Sequence, residues 1–321
     1  MRETEYTFAV ARVRSNENKL LSYNELMSAV TASDYDEAVA RLNGKGYEIS
    51  GSNYAPALRQ RLCDMWELIG SVLPDKSQFD SILIKNDFAN LKLILKALVC
   101  QKSTEGLLVS PSVYSAVELE KAVRARENSH LPEILQHADR SAYRILTKTG
   151  FPQLADSVID RAALEAAIKL AAAADNPIMS EIAEFEAAAA DIKILYRCIL
   201  TSKAKSFMER CVCECAAFSK KELIASALGS MDAFLEFLSH SDYAGAAEAL
   251  KESPAAFEKY CDDRLIRILK KAKTQIFGIA PLAAYYYAVN TEVKNVRIIL
   301  SAKQNALSED AIRKRVRELY V

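Results

Sequence analysis

Apolar residues recur at spacings of three and four along nearly the whole chain, the pattern typical of amphipathic α-helices. No alternating apolar pattern is long enough to predict a β-strand. Breaks occur at residues 43–46, at Gly150 with Pro152, and at Asn176-Pro177, where Gly and Pro end or begin helices. The pattern therefore predicts an all-α protein. Helices are expected at residues 2–20, 24–32, 34–43, 55–72, 77–98, 112–127, 131–136, 139–148, 161–174, 177–200, 203–217, 220–228, 230–239, 243–250, 254–275, 281–302 and 308–319.

Three of the predicted helices begin their apolar stripe directly after an acid. The acids are Asp87, Asp191 and Glu292, which stand 104 and 101 positions apart. Asn90 and Asn295 follow two of them by three residues, on the flank of the same stripe. A polar pair beside a buried stripe either faces solvent in a central hole or is hydrogen-bonded between lobes, and we expect the second.

A second element also recurs, an apolar residue and a serine ahead of a new helix. The four examples are Leu21-Ser22, Val109-Ser110, Phe218-Ser219 and Leu307-Ser308. Glu25 and Glu222 follow two of these serines at the spacing of a capping box. Together the two elements predict three repeats of about 100 residues, as lobes 1–105, 106–212 and 213–321 around a pseudo-threefold axis. The first long helix has no body ahead of it, so we expect the N- and C-terminal helices to pack together.

Composition excludes several classes of function. The 321 residues include 42 Lys plus Arg and 42 Asp plus Glu, so the basic excess expected of a nucleic-acid binder is missing. The sequence has three histidines and no phosphate-binding loop, and we expect no catalytic site, nucleotide, cofactor or metal. The acidic N-terminus predicts no signal peptide, and Gly278 and Pro281 interrupt the longest uncharged stretch, so we expect no membrane span.

Three cysteines lie close together on the predicted helix 203–217. There Cys211 and Cys215 would share a face and Cys213 would point elsewhere. No second ligand pair lies nearby in sequence, so core-filling thiols are favoured over metal or redox chemistry.

Basic residues line one face of a predicted helix near the C-terminus: Arg264, Arg267, Lys270 and Lys271. This basic face is either solvated surface or a patch for an acidic partner or anionic lipid, and we expect it to contribute to a partner interface.

Several segments in this order resemble one known family. They are Tyr6–Arg14 with Leu20-Leu21-Ser22, Asp87–Lys92, Pro281–Tyr286, Glu292–Leu300, and Lys303, Leu307, Ile312, Arg315 and Glu318–Val321. The chain resembles, over its whole length, the component of V-type and archaeal-type ATPases called C in prokaryotes and d in eukaryotes. The middle copy departs from the pattern, with Ile194 in place of Asn90 and Asn295 and Tyr196 in place of Lys92 and Arg297.

The resemblance implies a three-lobed helical funnel that is a non-catalytic part of a rotary ATPase. Such a protein lies on the cytoplasmic face of the membrane, on the proteolipid (c/K) ring, and receives the central shaft. The predicted function is therefore a rotor collar without nucleotide chemistry of its own. Two other functions stay open: a helical scaffold or adaptor, and a thiol- or metal-dependent enzyme at Cys211–Cys215.

Overall fold

The computed structural model describes residues 3–321; residue 2, with which the first predicted helix begins, lies outside them. This part of the chain is all-α, with an isolated bridge between Cys215 and Phe218 as its β-type pairing. Its helices are α1 Thr7–Glu17, α2 Tyr23–Val30, α3 Tyr35–Asn43, α4 Ala55–Val72, α5 Asp80–Val99, α6 Ala116–Ala125, α7 Glu133–Thr149, α8 Pro152–Ala173, α9 Pro177–Leu200, α10 Lys205–Cys211, α11 Lys220–Gly229, α12 Met231–Ser239, α13 Ala244–Glu252, α14 Pro254–Lys270, α15 Ala280–Gln304 and α16 Glu309–Arg313.

The chain divides into two compact units. Unit 1 holds the described residues up to Lys76 together with Asp242–Val321, and unit 2 holds Ser77–Ser241. Unit 1 therefore contains helices from both ends of the chain, α1–α4 and α13–α16. The division into three repeats stays a prediction.

The core of unit 1 is built around α15, which packs against α1, α2, α3, α4, α14 and α16. This helix is apolar almost all round, as a central helix must be, and residues such as Leu282, Val296 and Leu300 are fully buried. Pro281 stands in its first turn, where no intrahelical N–H is needed. Burial of each such Leu or Val stabilises the fold by about 1.5–3 kcal/mol.

The core of unit 2 is built around α8, which packs against α5, α7, α9 and α10. Small side chains are buried on both α8 and α9, including Ala166, Ala167, Ala187 and Ala188. Alanine favours helix and permits close approach of neighbouring backbones, so the alanine-rich segments serve packing.

Two predicted helix boundaries fail for one physical reason. The helices expected at 203–217 and 308–319 end early, at Cys211 and Arg313. The backbone N–H of Cys213 donates to Asp191, and that of Arg317 donates to Asn295. Because side chains of the long helices take these amides, the segments do not continue as helix.

Two further boundaries also differ from the sequence prediction. The helices expected at 131–136 and 139–148 are one helix, α7, whose buried Asp139 is paired with Arg126 at 2.8 Å. The predicted break at Pro152 is confirmed, but α8 begins at that proline instead of at residue 161.

Two of the four predicted serine caps form and two do not. Ser22 forms the complete capping box with Glu25, and Ser308 accepts from the N–H of Ala311. Ser219 makes no side-chain cap bond, so the second predicted capping box is wrong. The helix expected directly after Ser110 begins only at Ala116, with Ser115 as its cap.

Candidate functional site

The three repeated acids are buried instead of facing solvent. Asp87 is 0% exposed, and Asp191 and Glu292 are each 1% exposed. Each accepts a hydrogen bond from the backbone N–H of a segment outside its own helix. We call the acids with these bonds the acid anchors. A buried carboxylate is tolerated only when it is hydrogen-bonded, so the anchors tie each long helix to its neighbouring segment.

The first acid anchor, on α5, is held by two amides. The N–H groups of Val113 and Tyr114 each donate to Asp87 at 2.9 Å. Burial outweighs these bonds and raises the pKa of Asp87 to about 6. The segment after α5 is thereby fixed against it.

The second acid anchor, on α9, is held partly by a thiol. The N–H of Cys213 donates to Asp191 at 3.0 Å, and its Sγ lies 3.3 Å from the other carboxylate oxygen. Burial raises the pKa of Asp191 to about 7. Since Cys213 lies beyond the end of α10, Cys211 and Cys215 do not share a helix face as predicted.

The third acid anchor, on α15, is the most highly connected. Glu292 accepts from the N–H of Leu21 at 2.6 Å and from Tyr47 Oη at 2.8 Å. Arg61 approaches it with Nε at 3.2 Å and Nη2 at 3.1 Å. Burial, and then the charge of Glu292, raise the pKa of Tyr47.

Tyr47 and Arg61 do not stand out in the sequence because they lie 245 and 231 residues from Glu292. A buried glutamate implies some cationic partner, yet periodicity does not show which basic residue of α4 provides it. One signal in the sequence could have identified this partner: Arg61 interrupts the otherwise apolar stripe of α4.

The two asparagines each clamp a backbone residue in both directions. Asn90 donates to the carbonyl of Val109 at 2.9 Å and accepts from its N–H at 2.7 Å. Asn295 does the same with Arg317, at 3.1 and 2.7 Å. Both side chains are fully buried. The middle copy has Ile194 there, and the Asp191–Cys213 contact holds the corresponding segment.

In the order of the predicted repeats, the acid anchors follow a cycle. Asp87 of the first repeat binds residues 113 and 114 of the second, and Asp191 of the second binds Cys213 of the third. Glu292 of the third binds Leu21 of the first. Each of the three acids thus bonds to the backbone N–H of a residue that the predicted division assigns to the next repeat.

The predicted basic face is largely engaged within the chain. Arg264 is half-buried, stacks over Tyr243 at 4.3 Å and donates to the Tyr260 hydroxyl at 2.8 Å. The other two residues of the basic face on α14 share one partner: Arg267 and Lys270 approach Glu318 at 3.3 and 2.6 Å.

The remaining predicted site residues are exposed. Lys271 lies on the 3₁₀ turn Lys271–Thr274 after α14, and Arg297 lies on the outward side of α15. Glu292 and Asn295, by contrast, are buried. The structure therefore does not bring the two exposed cations into one site with the buried acid and amide of α15.

Chemically, these arrangements hold segments together. Within residues 3–321 no three His, Cys, Asp or Glu side chains are placed to share a metal ion. No helix in the same span is both long and apolar enough to cross a bilayer.

Comparison with known proteins gives one family over nearly the whole chain. The profile of the family described as ATP synthase (C/AC39) subunit matches residues 9–315. The chain is similar to the C subunit of the V-type sodium ATPase of Enterococcus hirae, with 25% identity over 282 residues and 85% of each chain covered. It is also similar to the C subunit of the A-type ATP synthase of Methanocaldococcus jannaschii, with 26% identity, covering 96% of this chain and 85% of the relative. A third relative is the corresponding C subunit of the A-type ATP synthase of Methanothermobacter thermautotrophicus, at 22% identity over 93% of this chain.

Proposed function

The chain belongs to the ATP synthase (C/AC39) subunit family, and from this premise we propose that it is the non-catalytic rotor collar of a V/A-type ATPase. In this role it couples the central shaft to the membrane proteolipid ring. The observation that carries the proposal is the family match, because it runs from residue 9 to residue 315 and so accounts for nearly the whole chain.

The acid anchors support the mechanical part of this proposal. A collar must transmit torque without yielding, which requires that segments between long helices be fixed. Buried carboxylates and amides bonded to backbone N–H groups provide such fixed points, since breaking one leaves a buried polar group unsatisfied. The acids and asparagines that recur in the predicted repeats thus fix the connecting segments to the long helices.

The cyclic order of the anchors supports a closed arrangement of three lobes, 1–105, 106–212 and 213–321. Each repeat's acid binds the repeat that follows, and Glu292 of the third binds Leu21 of the first. An open array would leave the last repeat without that partner. We propose a three-lobed funnel on this basis.

The proposed partners are the shaft subunits on one end and the proteolipid ring on the other, at the cytoplasmic face of the membrane. The basic face is a proposed contributor to one of these interfaces. Arg267 and Lys271 are its exposed members, and Lys271 is the residue to reverse, because a reversal of Arg267 would also place a like charge beside Glu318.

Co-purification from solubilised membranes tests the function. A tagged copy of the chain should recover shaft and ring subunits together. Recovery of the chain alone, in a monodisperse form, would favour a scaffold or adaptor without a motor role. Lys271→Glu should reduce recovery at low salt, while Lys314→Glu, which reverses another exposed lysine of unit 1, should not. Equal recovery of both variants at every salt concentration would remove Lys271 from the interface.

A further inference from the structure

The segment between α10 and α11 carries two thiols that the proposed function does not use. Cys213 is buried and Cys215 is half-buried, and neither lies in a helix. The Cys213 sulfur lies within hydrogen-bonding reach of both Asp191 Oδ2, at 3.3 Å, and the sulfur of Cys215. Its single proton can therefore be donated to either neighbour. This is a dithiol with an acid–base group in direct contact.

Backbone amides surround the second sulfur. Cys215 accepts from the N–H groups of Ala217 and Phe218, and its residue pairs with Phe218 in an isolated antiparallel bridge. Amide donors stabilise a neighbouring anion, so these two amides favour the thiolate form of Cys215.

Some of the surrounding charges disfavour negative charge at this site and others favour it. Glu184, which accepts from the N–H of Ala216 at 2.7 Å, disfavours a nearby thiolate. Lys220 lies 4.0 Å from Glu214 and favours negative charge on Asp191 and Cys211. The hydrogen bond from Cys213 outweighs burial, and with the two amides it lowers the pKa of Cys215 to about 7.

We propose that Cys215 and Cys213 form a peroxide-sensitive dithiol site, with Cys215 as the attacking thiolate, Cys213 as the resolving thiol and Asp191 as its base. The Cys215 sulfur attacks one oxygen of hydrogen peroxide, the O–O bond breaks, and the sulfur is oxidised to a sulfenic acid while the other oxygen leaves as water after protonation. Cys213 then passes its proton to Asp191 and attacks the Cys215 sulfur. The S–O bond breaks, the leaving hydroxide takes the proton from Asp191 and departs as a second water, and a Cys213–Cys215 disulfide forms. The dithiol gives up two electrons and the peroxide is reduced to two waters.

Oxidation changes the anchor on α9. A disulfide has no S–H, so Asp191 keeps the N–H of Cys213 at 3.0 Å and loses the thiol contact. A buried carboxyl with fewer partners holds its segment less firmly. The dithiol thereby links the redox state to the rigidity of the segment after α10.

Alkylation of the reduced full-length chain tests the attacking thiol. At pH 7 a thiol with a pKa of about 7 is half ionised, against about 3% for an ordinary thiol, and its lower nucleophilicity reduces this advantage to about threefold. Cys63 and Cys100 are exposed thiols of the same chain and serve as internal controls. Because Cys215 is half-buried and the controls are exposed, the readout is the ratio of the Cys215 rate to the control rates at two pH values, which accessibility affects equally. We expect this ratio to be about tenfold higher at pH 7 than at pH 9. A ratio that is the same at both pH values would overturn the proposal without any variant.

Hydrogen peroxide treatment tests the pairing. The wild-type chain and Cys211→Ser should each lose the mass of two hydrogen atoms in the peptide that holds Cys213 and Cys215, and a reductant should restore it. Cys213→Ser should instead leave a sulfenic acid at Cys215 that dimedone traps, with the far-UV circular dichroism unchanged. A disulfide from Cys211 or between chains, or an unchanged product in Cys213→Ser, would contradict the assignment.

Discussion

Replacing Glu292 with glutamine removes one buried charge and keeps the shape of the side chain, so it tests the most highly connected acid anchor. The carboxylate is 1% exposed and has Leu21, Tyr47 and Arg61 as partners. Glutamine still accepts one or two of these hydrogen bonds. It leaves the guanidinium of Arg61 without a counter-charge, and its NH₂ group meets donors where an acceptor is needed.

The magnitude follows from the geometry of the pair. At the observed N–O distance of 3.1 Å, two unit charges attract by about 5 kcal/mol at an effective dielectric constant of about 20. Part of this attraction offsets desolvation, and removing one partner of a buried pair costs about 3–5 kcal/mol. Because Arg61 is 20% exposed and still meets water, we expect the lower end of that range, a loss of about 3 kcal/mol in the free energy of unfolding.

Fluorescence of Trp66 follows this change in unit 1 specifically. It is the single tryptophan of the chain, and its ring lies 5.0 Å from that of Tyr286 on α15. With a urea m-value of about 2 kcal/mol/M, the midpoint should fall by about 1.5 M. Arg297→Gln, an exposed change on the same helix, is the matched control and should stay near wild type. A Glu292→Gln midpoint equal to that of Arg297→Gln would mean that the Glu292 carboxylate does not stabilise unit 1.

Three further outcomes test the other contacts. Asn295→Ala should lower unit 1 stability by about 2 kcal/mol, through two lost bonds to the Arg317 backbone, in the same urea assay; an unchanged midpoint would exclude the clamp. Deleting residues 308–321 should lower the melting temperature because it removes buried side chains such as Tyr320, and a truncated chain that melts like the full one would contradict this. Burial raises the pKa of Asp191 from 3.8 to about 7, so the folded state holds the proton longer than the unfolded state and stability falls as pH rises from about 4 to about 7. Asp191→Asn should flatten that slope in hydrogen exchange of α9, and an unaltered slope would count against the assignment.

The sequence predicts the long helices well, since their apolar positions recur over many turns. The all-α class, the start of α9 at Pro177 and the capping box at Ser22 all follow from local patterns. The repeated acids and asparagines are also visible as a pattern, because their spacing is a property of the chain itself. Their burial is consistent with the pattern but does not follow from it.

The sequence does not predict which distant residues become hydrogen-bond or ion-pair partners. Helical periodicity extends past Cys211 and Arg313, and the amides of Val212 and Val316 still bond back to Met208 and Ile312. The amides that follow, of Cys213 and Arg317, bond instead to the side chains of Asp191 and Asn295, and the helical bonding ends. Likewise, the spacing of Arg264 and Arg267 predicts a shared face but not the ring of Tyr243 or the carboxylate of Glu318 that engages them. Such contacts depend on which segments the fold brings together.

The proposed collar role is tested most directly by ATP-driven ion transport in membrane vesicles that hold the complete complex or lack only this chain. Without the chain, ion uptake should be lost while the remaining catalytic subunits still hydrolyse ATP. Adding back the wild-type chain should restore uptake. Vesicles without the chain that transport as many ions per ATP as the complete complex would contradict the collar role.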